Sequence, residues 1–231
     1  RDHVLFVDFP DVLESYGKYE RWAARRDLRA IRRITRNAIM IGLEDARPAG
    51  RRGGSAFVAV PYFANVSKYQ ALATQRRDHL VGLAASSALV PKSRCGSCKA
   101  AAVKNTELRT RIFNDLDSGC AADECEVHDL TKLSNFAGPQ RSNMTFLDRV
   151  DFGHVVHSSV FCPIPRGDSW SSKRLFTAIL GGCIPVLLSD AMPLPFAQAV
   201  DLRGAMLWVP ETQMMRPDFS LAAFLRSQPP R

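Results

Sequence analysis

Ten residues late in the chain carry the groups that anion binding calls for. "PRGDSWSSKR" (165–174) holds Gly167, Asp168, Ser169, Ser171, Ser172 and Arg174 between two apolar runs. Glycine lets backbone come close to a ligand, and serine hydroxyls donate hydrogen bonds. A guanidinium pairs with two oxygens at once, so the set suits a phosphate or diphosphate. The bland alternative is an ordinary βα turn with serine caps. The GxxxxGK[ST] pattern is absent, which argues against a P-loop nucleotide hydrolase.

The flanks say where such a loop would sit. Residues 159–164 read as a short buried strand, and 165–170 as the loop. From Ser171 the pattern turns helical, with Leu175 and Ile179, and Phe176 and Leu180, spaced four apart. Gly181-Gly182 ends the helix, and "CIPVLLS" (183–189) gives a second strand. A strand–loop–helix–strand unit implies parallel strands. Ligands of parallel sheets lie beyond the carboxyl ends of the strands, and the free N–H groups of the helix start favour an anion. Asp190 follows the second strand at the same edge.

Further strands are expected at 3–9, 37–43 and 56–63, the last closed by its proline, and an apolar run at 79–86 opens a new sheet. Residues 105–116 predict an amphipathic helix capped by Asn105, with Leu108, Ile112, Phe113 and Leu116 on one stripe. Arg109 falls inside that stripe, where a cation must snorkel out or meet an anion. Residues 117–143 read as a long loop. Over 18–36 the arginines at 21, 25, 26, 29, 32, 33 and 36 share an arc of about 140° on a helix. That face is either solvated or a track for a polyanion. A domain boundary is placed near residue 75, giving domains over 1–75 and 76–231.

The 231 residues supply ample core, with 46% hydrophobic and 23% charged residues, an ordinary soluble balance. No apolar run of about 18 residues exists to span a membrane. The chain opens at Arg1 and runs into "VLFV", which reads as a fragment whose anchor or signal lies elsewhere. With 31 basic against 23 acidic residues, the net charge of +8 favours anionic partners. No RNA-binding motif or zinc-finger spacing points to nucleic acid. Cys95 and Cys98, with Cys120 and Cys125, suit disulfides in an oxidising compartment; zinc and free thiols stay open as alternatives. The sequons at Asn65 and Asn143 lean toward the secretory route.

"FCPIPRGDSWSSKRLFTAILGGCIPVLLSDAMPLPF" (161–196) resembles the C-terminal signature of the exostosin family of glycosyltransferases. The departure inside it is Pro163-Ile164, where leucine and a variable residue are usual. "RDHVLFV" (1–7) is similar to the family's R-D-H-F-x-V strand. "SAFVAVPYF" (55–63) is similar to its "DVVIPPY" strand, with Ala56 in place of the acid. Arg109 stands where the family often carries an arginine after a strand, although "LVGLAAS" lacks that strand's aromatics. The cysteine-bearing stretch at 92–126 departs from the family pattern.

The resemblance implies an α/β protein of GT-B type, with two Rossmann-like domains whose parallel sheets face a cleft. It implies inverting transfer from a UDP-sugar to a glycan or glycoprotein acceptor. The donor would be bound by Arg109, Gly167, Asp168, Ser169, Ser171, Ser172, Arg174 and Asp190, with no metal and no cofactor. Asp8 and His3, at the end of the first strand, are candidates for the catalytic base, with Asp11 and His157 behind them. The partners implied are a nucleotide sugar and a glycan acceptor, polyanionic where the arginine face engages it, and not nucleic acid. The compartment implied is the Golgi lumen, reached through a type II anchor outside this chain. A catalytically inactive relative that binds carbohydrate or polyanion is the alternative.

Overall fold

The computed structural model describes residues 4–7, 39–42, 57–62, 76–88, 96–135, 150–167, 171–190, 192, 194–197 and 199–229. The chain divides into two compact units. The first comprises Arg1–Tyr62, Ser169–Ser171 and Ala191–Leu202. It carries a parallel sheet of β1 (Val4–Val7), β2 (Ile39–Gly42) and β3 (Phe57–Ala59), in that order. Val4 pairs with Ile39, and Met40 with Phe57. The described parts of these strands lie where apolar, β-branched runs predicted them. The predicted arginine helix over 18–36 falls outside the described residues, as do both sequons.

The second unit comprises Phe63–Asp168, Ser172–Asp190 and Arg203–Arg231. Its elements, in chain order, are β4 (His79–Ala85), α1 (Gly96–Gly119), β5 (Cys125–Asp129), α2 (Leu130–Asn135), α3 (Phe152–Ser158), β6 (Ser159–Pro165), α4 (Lys173–Leu180), β7 (Ile184–Leu188), β8 (Leu207–Trp208), α5 (Glu211–Met214) and α6 (Leu221–Arg226). The five strands form one parallel sheet in the order β5-β4-β6-β7-β8. The α/β class and the strand–loop–helix–strand reading of 159–190 therefore hold.

Side chains alternate across β4. Val81, Leu83 and Ala85 face a core with Leu108, Ile112, Phe113 and Leu116 of α1 and Leu221, Ala222 and Leu225 of α6. Ala84 faces the opposite layer with Leu130, Val150 and Val155. Arg77, which burial pulls below the usual arginine range, donates to the carbonyls of Val156, Ser159 and Gly181 at 2.6–3.0 Å. It thus pins the α3–β6 junction to the end of α4. Gly182 follows α4 at φ 65°, a left-handed turn that a Cβ disfavours.

Two sequence expectations are corrected. The helix predicted over 105–116 begins at Gly96, because the alanine-rich run before it is strongly helix-forming. Asn105 is consequently interior to α1 and caps nothing. The loop predicted over 117–143 contains β5 and α2. β5 is an edge strand of sequence CEVHD, half-buried at every position, so it shows no apolar run to find. Among the described residues two disulfides are formed, Cys120–Cys125 and Cys162–Cys183, while Cys95 and the Cys98 side chain lie outside those residues. The first joins two of the cysteines flagged from spacing. The second was not foreseen; it ties β6 to the residue that enters β7.

Candidate functional site

Because all five strands of the second unit run parallel, their carboxyl ends share one edge. The strand order reverses there. From β4 the chain moves outward to β5, then crosses to the far side of β4 for β6. A crevice opens between two strands at such a switch point, and ligands of open α/β sheets bind there. Its lips are Ser86–Ala88 after β4 and Arg166–Gly167 after β6.

Arg109 holds both lips. Its side chain is 2% exposed, inside the apolar stripe of α1. Its guanidinium donates to the Ser86 carbonyl at 2.8 Å, to the Arg166 carbonyl, and to Asn105 Oδ1 at 3.3 Å. Asn105 Nδ2 in turn donates to the Gly167 carbonyl at 2.7 Å. The buried cation therefore does not snorkel; carbonyl oxygens of two loops accept from it. Replacing it would leave those carbonyls unpaired, so the pair Asn105 and Arg109 fixes the shape of the crevice from beneath.

The first lip is braced again from β5. Asp129 accepts the Ser87 and Thr131 N–H groups at 3.0 Å each, and Thr131 Oγ1 accepts the Ala88 N–H at 3.2 Å. Burial pushes the Asp129 carboxyl up. Hydrogen bonds from Ser87, the Thr131 amide and the nearby Lys132 charge outweigh that, and the group lies below the usual aspartate range.

The second lip leads into α4. Ser172 is the N-cap residue, yet its side chain makes no capping hydrogen bond. The first-turn N–H groups of α4 are thus not closed off by that hydroxyl, and they are the kind of donors an anion takes. Arg174 lies in this first turn, and its Nε donates to the Ala84 carbonyl of β4 at 3.0 Å. On the β7 side, Ser189 is 1% exposed and its Oγ has no hydrogen-bond partner among the described residues. Asp190 accepts the Glu211 N–H at 3.0 Å, and Glu211 lies 3.9 Å from Arg166 Nε. A mixed set of serines, arginines and acids therefore lines the carboxyl edge from β5 to β8.

The profile of the Exostosin GT47 domain matches residues 1–224. The chain belongs to the exostosin GT47 family. Similar curated proteins include Exostosin-1 of Drosophila melanogaster, 42% identical over 69 residues, which are 30% of this chain and 9% of that protein. Exostosin-1a of Danio rerio is 41% identical over 58 residues, 25% of this chain and 8% of that protein. A probable arabinosyltransferase of Arabidopsis thaliana is 38% identical over 64 residues, 28% of this chain and 14% of that protein. The matches thus span well under a fifth of the length of these three relatives.

Within this exostosin-family chain, Arg109, Gly167, Ser172, Arg174 and Asp190 gather at the carboxyl edge of one sheet. Ser171 belongs to the first unit, where it shares a 2.9 Å hydrogen bond with the Tyr62 hydroxyl. His3, Asp8, Asp11, Asp168 and Ser169 lie outside the described residues. His157 is corrected by topology. It sits in α3 at the amino end of β6, and seven strand residues at about 3.3 Å each put it roughly 20 Å from the loop after β6.

The sequence reading missed Asn105 as a loop brace, and it missed Asp129, Arg166, Ser189 and Glu211 altogether. Ser189 and Glu211 had a usable signal, since each follows the end of a parallel strand. Phe196, the end of the family's L-P-F, adopts φ 50° and is exposed. Its N–H donates to the carbonyl of Ala59 at the end of β3. A left-handed conformation in a bulky residue is strained, and such strain gathers at functional positions.

Proposed function

We propose that the chain works as an inverting glycosyltransferase that takes a sugar from a UDP-sugar and passes it to a glycan or glycoprotein acceptor. One observation carries the donor side: the switch-point crevice between β4 and β6, shaped by Asn105 and Arg109 and opening onto the uncapped start of α4. The diphosphate lies against the first-turn amides of α4, with Gly167 and Ser172 beside it. Asp168, Ser169 and Ser171 complete the set on this reading, and Arg174 pairs with the diphosphate from the first turn. Arg109 acts through the loops it holds. As the glycosidic bond breaks, charge grows on the leaving diphosphate, and preorganised donors stabilise that charge most in the transition state.

Residues 76–231 are the donor side and 1–75 the acceptor side. Asp8 or His3 takes the proton of the acceptor hydroxyl, and the basic stretch over 18–36 receives an anionic glycan. No cofactor is assigned, since the nucleotide sugar is a substrate. The Golgi lumen is the proposed compartment. Two disulfides support a route through an oxidising environment.

A panel of UDP-sugars, screened by thermal shift and then by product analysis, tests the reading. A ligand that binds only the folded chain raises its melting temperature. The expected result is stabilisation by UDP and by one UDP-sugar, whose product carries the inverted anomeric configuration. Binding without turnover would favour the inactive relative, and no response to any uridine nucleotide would end the proposal.

A further inference from the structure

At the amino edge of the same sheet, opposite the crevice, imidazoles surround one carboxylate. His79 opens β4, Glu126 and His128 share one face of the neighbouring β5, and His154 lies in α3. Glu126 Oε2 is 3.9 Å from His79 Nε2 and 3.7 Å from His154 Nε2. Both separations exceed a hydrogen bond, so neither ring donates to that oxygen. Two ligand atoms bound tetrahedrally to one zinc ion at about 2.1 Å lie about 3.4 Å apart. One ring nitrogen of His79, one of His154 and a carboxylate oxygen of Glu126 all fall within 4.8 Å of one another. Each carboxylate–imidazole separation closes by a few tenths of an ångström, and the two rings by up to about 1.4 Å, to bring three ligands onto one ion.

A second observation concerns protons. His79 Nδ1 lies 3.0 Å from the Asp123 carbonyl, which can only accept. Nδ1 must therefore be the N–H, and a neutral ring then aims its Nε2 lone pair at the cluster. Metal-bound histidines are held in this way by an outer carbonyl. The carboxylate is held too. Ser158 Oγ is 2.9 Å from Glu126 Oε2, and His128 Nε2 lies 3.2 Å from Oε1.

The backbone brings α3 close enough for this. Gly82 is the register partner of Glu126. A Cβ at Gly82 would meet the Ser159 Oγ at 2.3 Å and the Val155 carbonyl at 2.6 Å. No larger residue lets α3 settle here.

We propose that His79, Glu126 and His154 form a site for a borderline divalent metal, zinc above all. His128 and Ser158 orient the carboxylate. Two imidazoles and one carboxylate suit zinc, and they disfavour magnesium and calcium, which take oxygen ligands. His154 is exposed, so water reaches the fourth position. The site lies at the end of the strands away from the donor crevice, and it joins β4, β5 and α3 independently of any sugar transfer. The sulfurs of Cys120 and Cys125 are bonded to each other and offer no thiolate.

The chain, stripped with chelator and kept oxidised, is titrated with zinc chloride by calorimetry, and melted with and without zinc. The expected result is one equivalent bound, a higher melting temperature, and no response to magnesium. His154→Ala and Glu126→Gln each weaken zinc affinity by about tenfold or more, and Ser158→Ala by about tenfold. Cys95→Ser/Cys98→Ser leaves affinity unchanged, and bound cobalt shows no thiolate charge-transfer band. His154 is exposed, so its variant folds and keeps the test decisive. No zinc bound by the wild type, or binding that survives His154→Ala and disappears with the two cysteines, would overturn the site.

Discussion

At Arg109 a single side chain decides the shape of a crevice. The sequence placed a cation on an apolar helix face and left two outcomes, a snorkelling side chain or an anion. The observed outcome, carbonyls from two separate loops, depends on strand order and is invisible to helical periodicity. Arg109→Met removes the donors and leaves the Ser86 and Arg166 carbonyls buried. At about 1–3 kcal/mol for each buried group left unpaired, stability should fall by about 2–6 kcal/mol, measured by urea unfolding. A loss under about 1 kcal/mol would show that the carbonyls find other partners. Arg174 divides its role differently, since its Nε already bonds to the Ala84 carbonyl. Arg174→Ala should lower kcat/KM by about 2–4 kcal/mol, as for loss of one donor to developing charge. A stability loss of about 1 kcal/mol accompanies it, from the hydrogen bond to the Ala84 carbonyl. Arg174→Lys keeps the charge without the bidentate geometry and should recover only part of the activity. Steady-state kinetics beside a melting curve separate the two contributions.

Among the elements, the turn from β4 toward α1 hangs on Asp129. The folded state holds this carboxyl below its usual range, so the sign of the linkage is fixed. The contribution is fully present above the unfolded value of about 3.9 and is lost as pH falls through the lower folded value. Stability of the wild type over Asp129→Asn should therefore be largest above about pH 5 and shrink steadily on acidification below about pH 4. A difference that stays constant with pH would remove the carboxylate from the account. The link between β6 and β7 is covalent, through Cys162 and Cys183, which are 21 residues apart. Replacing both by alanine should cost about 2–4 kcal/mol in denaturant unfolding of the oxidised chain. The strands and α4 were legible because their apolar runs and i,i+4 pairs are local signals. β5 was not, because an edge strand half-buried along its length carries no such pattern. The Cys162–Cys183 pair was hidden for a related reason, since strand pairing brings together residues that spacing alone does not.

For the whole molecule, the parallel order β5-β4-β6-β7-β8 places two kinds of group at opposite ends of one sheet. Serines, arginines and first-turn amides collect at the carboxyl edge, and the histidine cluster sits at the amino edge. The loop after β6 was readable from Gly167 and its serines, and the exostosin resemblance was readable over 161–196. The switch point that turns the loop into a crevice was not, because strand order is a property of the assembled sheet. The first unit contributes its own parallel sheet, and the proposed base, Asp8 or His3, belongs to it. Mapping UDP binding by backbone amide chemical shifts tests the central claim most directly. The account predicts saturable shifts at Ser86–Ala88, Arg166–Gly167, Ser172–Leu175 and Ser189–Asp190, with His79, Glu126 and His154 unmoved. Shifts confined to the amino edge, or none at saturating UDP, would contradict it.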